Sequence, residues 1–346
     1  MKILLTGGAG YIGSHTAVEL LSSGYEVVIV DNFSNSEPGI INQIELLTDC
    51  SVDTYNIDIT NKDDLNRIMN RHEIDCVIHL AGKKFAAESF NYPIKYYRNN
   101  IDTTLSLLEC MEQNQINKII FSSSAAVYNC LTSITCVETD EILRCDNPYG
   151  WSKLMNEQIL KDAVYSNEDL SVLILRIFNP VSVHNSGLLG GVVKDEQIDL
   201  MTKVLLVATG KIKEMTVFGK DYLTCDGTCR RDFIHVMDLA EGIVKALNFI
   251  LHHKGIDIFN LGSGNSYSVL EMIQTFEHCN NTSVPFKFGP KRQGDVGNIV
   301  ANCEKAKKLL NWKARRTIED MCRDLWNYQR LSAMKKTVDI ITKQRC

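Results

Sequence analysis

The sequence predicts an α/β protein built on a doubly wound parallel sheet, and three features carry that prediction. An apolar run at residues 3–5 is followed by a glycine-rich turn at residues 6–13 and by helical apolar spacing over residues 12–21. A second apolar run, at residues 26–31, ends in an acid. Apolar strands then alternate with helical segments to residue 178, which indicates a parallel sheet covered on both faces.

The turn itself is typical of a Rossmann-type dinucleotide site. Gly7 allows a tight turn, Gly10 lets the main chain approach a pyrophosphate, and Gly13 lets the helix pack closely. Asp31 ends the next strand, where a carboxylate accepts hydrogen bonds from ribose hydroxyls and repels a 2′-phosphate. These residues together predict NAD rather than NADP. The alternative is that Asp31 only closes the end of its strand.

The other elements follow from apolar periodicity and from breaks at glycine, proline and polar clusters. Strands are expected at residues 55–58, 75–80, 118–124, 171–178, 215–218 and 256–261. Helices are expected at residues 40–47, 64–69, 93–112, 149–164, 196–208, 236–251, 269–278, 303–310 and 318–328.

Regular alternation ends near residue 180, which predicts two domains. The first is a dinucleotide-binding domain at residues 1–180. The second, residues 181–346, is a smaller mixed α/β lobe that binds substrate. The segment near residues 230–265 is a candidate to pack back on the first domain. Ligands are expected at the carboxyl ends of the strands, between the two lobes.

Composition limits the partners. A formal net charge of −5, with no basic block that carries interleaved aromatics, argues against nucleic acid. No apolar run is long enough to span a bilayer, and a strand that begins at residue 2 or 3 leaves no room for a signal peptide. We therefore expect no membrane association, and the basic residues near the C-terminus are interpreted as a solvated tail.

The 12 cysteines are scattered through the chain, several of them in apolar strand or helix contexts. This distribution is typical of reduced thiols in a cytoplasmic protein. Cys225 and Cys229 form a close pair, but no second pair or histidine is placed to complete a zinc site. We therefore expect no metal.

Tyr149 and Lys153 lie four residues apart at the start of a predicted helix, so that they share one face. The ammonium, together with a positive nicotinamide, is expected to lower the pKa of the phenol. The phenolate could then remove a hydroxyl proton while hydride leaves the same carbon. Ser124 ends a strand at the same edge and could relay or orient the proton, although it could also be a plain turn residue.

Ten stretches carry a resemblance that runs in register along nearly the whole chain. They read TGGAGYIGSH (6–15), HLAGKK (79–84), YYRNN (96–100), SSSAAVY (122–128), PYGWSK (148–153), RIFNP (176–180), FGKDY (218–222), DGTCRRDFIHVMD (226–238), NLGSG (260–264) and RQGD (292–295). Together they resemble the UDP-glucose 4-epimerase family of the extended short-chain dehydrogenases/reductases.

The resemblance implies NAD-dependent interconversion of UDP-glucose and UDP-galactose by transient oxidation at C4 of the hexose. It implies Ser124, Tyr149 and Lys153 as catalytic residues. The implied cofactor-binding residues are these three with Gly7, Gly10, Tyr11, Ile12, Gly13, Asp31, Asn32, Asp58, Ile59, Leu80, Lys84, Asn99 and Ile177. The implied substrate-binding residues are Asn179, Asp199, Leu200, Phe218, Arg231, Arg292, Asp295 and Ile299. It further implies a homodimer through the helices at residues 93–112 and 149–164.

Two alanines restrict the reaction. Sugar dehydratases and decarboxylases of this fold carry acids directly after the serine, whereas Ala125 and Ala126 follow Ser124 here. Oxidation and re-reduction at one carbon is the simplest reaction that remains. The resemblance also implies that the residue a few positions after Asp295 sets the room around C2 of the sugar. Ile299 stands there, so that UDP-N-acetylhexosamine epimerisation is an alternative activity.

Several positions depart from the family pattern. The stretch 190–201 replaces the usual loop, with Asp199 in place of an asparagine. Ile177 stands in place of a tyrosine, and Leu80 and Asn129 in place of a phenylalanine and a glycine. These changes leave open a catalytically weak regulatory homologue that binds NAD and nucleotide-sugar. A dehydratase or reductase that releases reduced cofactor is a third alternative.

Overall fold

The computed structural model describes residues 1–128, 134–140, 142, 144–191, 198–292 and 295–343. Its strands are β1 (Lys2–Thr6), β2 (Glu26–Asp31), β3 (Asp53–Asn56), β4 (Cys76–His79), β5 (Lys118–Ser124), β6 (Thr135–Cys136), β7 (Ser171–Ile177), β8 (Asn179–Val181), β9 (Met215–Phe218), β10 (Arg230–Arg231), β11 (Phe233–His235), β12 (Ile256–Leu261), β13 (Tyr267–Ser268), β14 (Phe286–Gly289) and β15 (Asn298–Ala301).

Its helices are α1 (Tyr11–Ser22), α2 (Gly39–Thr48), α3 (Lys62–His72), α4 (Ala86–Asn91), α5 (Pro93–Gln113), α6 (Pro148–Ser166), α7 (Leu200–Ala208), α8 (Val236–Ile250), α9 (Val269–Asn280), α10 (Glu304–Leu309) and α11 (Ile318–Lys343). Most agree with the expected segments to within a few residues. The short α4 was not predicted, and α11 runs well past the expected end at residue 328.

A seven-stranded parallel sheet in the order β12-β7-β5-β4-β1-β2-β3 forms the centre of the molecule. The expected α/β fold with a doubly wound parallel sheet is confirmed. Strand order reverses between β1 and β4, and in such sheets a ligand crevice opens at the carboxyl ends beside that point.

The chain returns to this sheet after leaving it. Strand β12 pairs with β7 over its full length, from Ile256 opposite Val172 to Leu261 opposite Ile177. Helix α8 packs against α1 and carries buried residues along most of its length. The segment 236–261 therefore covers and extends the first sheet, while the division near residue 180 stays a prediction.

The remaining elements build a second layer around short sheets. Strands β13, β10, β15 and β6 form one of them, and β8 with β11 and β9 with β14 form two parallel pairs. A separate apolar cluster lies beneath them, lined by α7, α9 and α11 through residues such as Val204, Phe276 and Leu325. This layer places Arg231 and Ile299 side by side, because β10 pairs with β15 in that register.

Among the helices of the described ranges, none combines the length and the apolar character that crossing a bilayer requires. The same residues contain no group of three or more histidine, cysteine or acidic side chains placed to hold a metal ion.

Candidate active site

A cavity of about 880 Å³ opens at the carboxyl edge of the central sheet. Its volume lies within the range of pockets that enclose small ligands and cofactors. All of the predicted catalytic and cofactor-binding residues line it. So do five of the predicted substrate-binding residues, which are Asn179, Arg231, Arg292, Asp295 and Ile299.

The floor of the cavity is the glycine turn between β1 and α1. Gly7 has a φ of +68°, and a Cβ there would lie 2.8 Å from the main-chain nitrogen of Ala81. A Cβ on Gly13 would lie 2.1 Å from the carbonyl oxygen of Gly7. Gly10 precedes α1 and offers no side-chain cap, so that the first N–H groups of the helix are left for another acceptor. The turn therefore suits a close-lying anion such as a phosphate.

Asp31 closes one end of the cavity with a carboxylate that is already partly engaged. It accepts hydrogen bonds from the main-chain N–H of Ala9 (3.0 Å) and Phe33 (2.8 Å) and from the Ser36 hydroxyl (2.9 Å). Asn32 donates to Asp58 at 3.0 Å, beside it. The two possibilities for Asp31 are therefore compatible, because it organises the end of its strand and also lines the cavity.

Ser124, Tyr149 and Lys153 line the same cavity. Helix α6 begins at Pro148, where the Asn147 side chain accepts the Gly150 N–H at 2.8 Å. A Cβ on Gly150 would lie 2.4 Å from the Ala126 carbonyl oxygen, so the helix start lies directly on the turn that follows Ser124. This close approach brings the Tyr149 phenol within hydrogen-bonding reach of the Ser124 side chain.

The pKa of Tyr149 is raised above its ordinary value. Burial raises it, and the hydrogen bond with Ser124 lowers it by less. The Lys153 ammonium donates instead to the Ser122 carbonyl at 2.7 Å and lies 4.8 Å above the Phe121 ring. Burial lowers the pKa of Lys153 to about 8, while the charge of Glu157 opposes that shift. Burial therefore outweighs the Ser124 hydrogen bond at Tyr149, and the lowering expected from Lys153 together with a positive nicotinamide stays a prediction.

A second tyrosine lies against the first. The rings of Tyr96 and Tyr149 meet edge to face, with centroids 6.4 Å apart. The Tyr96 hydroxyl donates to Glu88 at 2.7 Å, and Lys95 donates to the same carboxylate at 2.8 Å. Sequence reasoning missed Glu88 and Phe90, which line the cavity from α4. A six-residue helix is too short to show an apolar period, so no sequence signal indicated it.

The far wall of the cavity is basic and held by its own ion pair. Arg231 pairs with Asp295 and donates to the Val296 carbonyl at 2.8 Å. Arg292 lies over the Phe218 ring, 4.2 Å from guanidinium carbon to centroid. Two arginines that face one cavity suit a diphosphate, since each guanidinium presents a planar fork of donors.

Three predicted substrate residues do not line the cavity. Asp199 caps α7 by accepting the Thr202 N–H at 2.9 Å, and Leu200 is the first residue of that helix. Phe218 lies behind Arg292. Asp199 is still close enough to oppose the lowering of the Lys84 pKa that burial causes. Asn129 and residues 192–197 of the atypical loop fall outside the described residues.

The chain is similar to known proteins along almost its whole length. A family profile described as GDP-mannose 4,6 dehydratase matches residues 4–325. The UDP-glucose 4-epimerase of Bacillus subtilis (strain 168) is 46% identical over 329 residues, which are 95% of this chain and 97% of that protein. The chain belongs to the UDP-glucose 4-epimerase family. The resemblance seen in the sequence is thereby confirmed.

Solved structures of the UDP-glucose 4-epimerase family agree with this fold. The enzyme from Bifidobacterium longum, in complex with NAD+ and UDP, has a TM-score of 0.92 and 43% identity, covering 95% of this chain and 98% of that one. The enzyme from Stenotrophomonas maltophila, with bound NAD and formylated UDP-arabinopyranose, has a TM-score of 0.92 and 40% identity, covering 97% and 99%.

The name of the matching profile refers to a dehydratase, but this member of the UDP-glucose 4-epimerase family lacks an acid after Ser124. Ala125 and Ala126 form the start of a short 3₁₀ turn and line the cavity. Neither side chain can donate or accept a proton. The main-chain N–H of Ala126 instead donates to the Ser124 hydroxyl oxygen at 3.1 Å, which fixes that side chain.

Proposed function

We propose that this protein interconverts UDP-glucose and UDP-galactose by transient oxidation at C4 of the hexose, with NAD as a resident cofactor. The observation that carries the proposal is the meeting of Ser124, Tyr149 and Lys153 in one cavity, with no acid after Ser124. Membership of the UDP-glucose 4-epimerase family supports the same reaction.

The residues at the carboxyl edge fit a dinucleotide. The close backbone contacts at Gly7 and Gly13 leave a cradle that side chains would fill, and the uncapped start of α1 suits a pyrophosphate. Asp31 lies where a carboxylate would meet an adenosine ribose. When bound, NAD would accept hydride from C4 and return it. The residues that we propose to hold NAD are Gly7, Gly10, Tyr11, Ile12, Gly13, Asp31, Asn32, Asp58, Ile59, Leu80, Lys84, Asn99, Ser124, Tyr149, Lys153 and Ile177.

Proton transfer falls to Tyr149. Its phenolic oxygen takes the proton of the C4 hydroxyl and gives it back to the oxygen of the other epimer. Ser124 hydrogen-bonds the phenol and orients it. Burial raises the pKa of Tyr149, so the phenolate needs nearby positive charge, which in this proposal Lys153 and a bound nicotinamide would supply.

Substrate binding falls to the basic wall. We propose that Asn179, Arg231, Arg292, Asp295 and Ile299 hold the UDP part, and that Asp199, Leu200 and Phe218 support it from behind the cavity wall. Charge-assisted hydrogen bonds from Arg231 and Arg292 would anchor the diphosphate. The hexose could then turn in the pocket, so that either face of C4 is presented while the nucleotide stays in place.

One assay tests this function. Purified protein given UDP-galactose without added NAD should make UDP-glucose, because the cofactor remains bound through each turnover. Bound NAD is measured in the same sample after denaturation. Absence of product with NAD present would overturn the proposal. UDP-sugar binding by calorimetry without turnover would favour the regulatory alternative, and growing absorbance of reduced nicotinamide with free cofactor would favour a dehydratase or reductase.

Ile299 is the residue that we propose to limit the size of the substituent accepted at C2 of the sugar. Its side chain is buried, lines the cavity and lies opposite Arg231 in the sheet register. Isoleucine is shorter than tyrosine and lacks a hydroxyl, so an acetamido group at C2 is partly accommodated. We expect UDP-glucose and UDP-galactose as the better pair, with weak epimerisation of UDP-N-acetylhexosamines.

The variant Ile299→Tyr should reduce N-acetylhexosamine turnover. A misfit of this size is worth about 1–3 kcal/mol, which corresponds to roughly 10-fold to 200-fold in the ratio of kcat/KM values. The measurement compares kcat/KM for both substrate pairs in wild type and variant. An unchanged ratio would mean that another wall of the cavity sets the substrate range.

We also propose a cytoplasmic homodimer. Ile94, Leu105 and Met155 are exposed apolar side chains on α5 and α6, which pack side by side. A second copy paired through these helices would cover them. Free thiols, with no disulfide among the described residues, are compatible with a reducing compartment. Light scattering at micromolar concentration should give twice the chain mass of 39.0 kDa, and a monomer would contradict the proposed dimer.

We further propose that residues 1–180 form the NAD-binding domain and residues 181–346 the UDP-sugar-binding domain. The segment near 230–265 lies partly on the first sheet, since β12 pairs with β7 and α8 packs on α1.

A further inference from the structure

A buried ion pair lies next to the catalytic lysine. Glu157 lies on α6 one turn after Lys153 and two turns after Tyr149, so the three side chains share one face of the helix. Its side chain is 0% exposed, and that of its partner Arg176 is 3% exposed. The reaction described above uses neither residue.

Glu157 is held from two strands of the sheet. Arg176 on β7 donates to both carboxylate oxygens, Nε to Oε1 at 3.0 Å and Nη2 to Oε2 at 2.7 Å. Ser123 on β5 donates its hydroxyl to Oε1 at 2.5 Å. Ser123 and Arg176 lie opposite each other in the register of β5 and β7. The Glu157 carboxylate therefore joins α6 to both β5 and β7 through hydrogen bonds.

The network continues to the next strand. Arg176 also donates from Nη1 to the Tyr128 hydroxyl at 3.0 Å, and that hydroxyl donates to Asn260 Oδ1 at 2.7 Å. Asn260 lies opposite Arg176 in the register of β12 and β7. Neighbouring positions on β5, β7 and β12 are thus linked through hydrogen bonds to α6, the helix that carries Tyr149 and Lys153.

A buried ion pair such as Glu157 with Arg176 is not well explained by a contribution to stability alone. Burying two charges costs desolvation free energy, and well-packed apolar side chains of similar volume often stabilise a fold as much or more. A bidentate guanidinium–carboxylate pair does, however, impose one geometry and one charge on its surroundings. Both properties matter here, because Lys153 is one helical turn away.

We propose that Glu157 is a positioning residue for the reaction: together with Arg176 and Ser123 it sets how α6 lies against the sheet, and its carboxylate maintains the charge of Lys153. The proposal rests on the epimerase function given above, in which Lys153 must stay positive to favour the Tyr149 phenolate. Glu157 itself touches neither substrate nor cofactor in this role.

The electrostatic surroundings of Lys153 support this role. Burial lowers the pKa of Lys153 to about 8, and Glu157 raises it. From the sheet side the ammonium meets the Ser122 carbonyl and the Phe121 ring of β5. His79 of β4 also lies near, but burial and the lysine charge lower the pKa of that imidazole to about 3, so it is neutral at pH 7. Tyr149 is the other titratable group nearby on α6, and it too is neutral until its proton leaves.

The Glu157→Gln variant should change the pH dependence of kcat. Glu157→Gln removes the negative charge that favours protonated Lys153, so the pKa of Lys153 should fall further. The lysine then loses its proton at lower pH, and the alkaline limb of the kcat profile should move to lower pH by about one unit, which is roughly a tenfold loss of kcat on that limb. KM for UDP-galactose should change less than about twofold, because the cavity wall is untouched.

Companion variants separate charge from geometry. Glu157→Asp keeps the charge but shortens the reach, so it should lower kcat while its alkaline limb stays close to that of wild type. Glu157→Gln leaves Arg176 as a lone buried charge, which is strongly destabilising. The double variant Glu157→Gln with Arg176→Gln removes that penalty. Its alkaline limb should move in the same direction as that of the single variant but by less, because the opposing positive charge of Arg176 is lost as well.

Arg316→Gln serves as the matched control. It breaks an ion pair with the buried Asp238, outside the cavity lining. It should lower the melting temperature and leave the pH profile in place. A lower melting temperature with an unmoved pH profile in both Gln variants at Glu157 would overturn the proposal and make the pair purely structural.

A second readout does not depend on turnover. Lysine side-chain NMR, with the Lys153 signal assigned from Lys153→Arg, should give a lower midpoint of titration in the Glu157→Gln/Arg176→Gln protein than in wild type. An inactive wild type would overturn the epimerase function, and the NMR titration would still decide whether Glu157 controls the charge of Lys153. Equal midpoints in the two proteins would refute that control.

Discussion

Replacing Tyr149 with phenylalanine should reduce kcat for UDP-galactose by about 10²–10⁴-fold, because it removes the group that takes and returns the C4 proton. The ring that packs against Tyr96 stays in place, so the fold and the NAD content should be preserved. Binding of UDP, measured by calorimetry, should change little, since the basic wall of the cavity is unaltered. The change removes transition-state stabilisation while leaving ground-state binding intact.

Tyr165→Phe is the control for that result. Tyr165 lies on the same helix, and 92% of it is exposed, so the loss of its hydroxyl should leave kcat within about twofold of wild type. Near-normal turnover in Tyr149→Phe would assign the base to another residue. Glu88 would then be the next candidate, since its carboxylate lines the cavity and accepts a hydrogen bond from the Tyr96 hydroxyl.

Gly13→Ala should abolish NAD retention and destabilise the protein. The added Cβ would lie 2.1 Å from the Gly7 carbonyl oxygen and 2.7 Å from the Gly8 Cα, both main-chain atoms that cannot turn aside. Helix α1 would have to move away from the glycine turn, and this movement would distort the floor of the cavity. Overpacking of this kind costs about 1–3 kcal/mol or more. Thermal unfolding and NAD content after gel filtration measure the two effects.

Gly39→Ala is the matched substitution. Apart from its chain neighbours and the backbone of its own helix, no atom of the described residues lies within 4 Å of a Cβ at Gly39, and its φ is not positive. Alanine there should leave NAD content unchanged and shift stability by no more than about 1 kcal/mol, in the stabilising direction because Gly39 is the first residue of α2. Equal loss of NAD in both variants would mean that the tight turn at Gly13 is not what holds the cofactor.

Local patterns in the chain determined the central architecture. Apolar runs that alternate with helical periods predict parallel strands and their covering helices, because each element must bury a face whatever its neighbours are. The glycine turn and the four-residue spacing of Tyr149 and Lys153 are equally local. Both follow from the geometry of one turn and one helix, so the sequence alone placed these residues at the same edge of the sheet.

Short elements and long-range contacts were decided only by the tertiary structure. Helix α4 spans six residues, less than two turns, which is too short for a detectable apolar periodicity. It nevertheless places Glu88 and Phe90 in the cavity lining. Asp199 caps α7, a role that depends on where that helix begins, and its expected contact with substrate stays a prediction. Helix α11 packs against α9, a contact between distant parts of the chain that no local pattern shows.

The pKa shifts and ion pairs of the site could not be predicted from the sequence. The sequence suggested that Lys153 and a positive nicotinamide lower the pKa of Tyr149, but it could not show that burial raises that pKa or that the Lys153 ammonium donates to the Ser122 carbonyl. The pairing of Glu157 with Arg176 joins residues from different elements, and only the register of β5, β7 and β12 brings their partners to one level. Desolvation and pairing depend on which distant segments exclude water from a side chain, and that is a property of the folded chain alone.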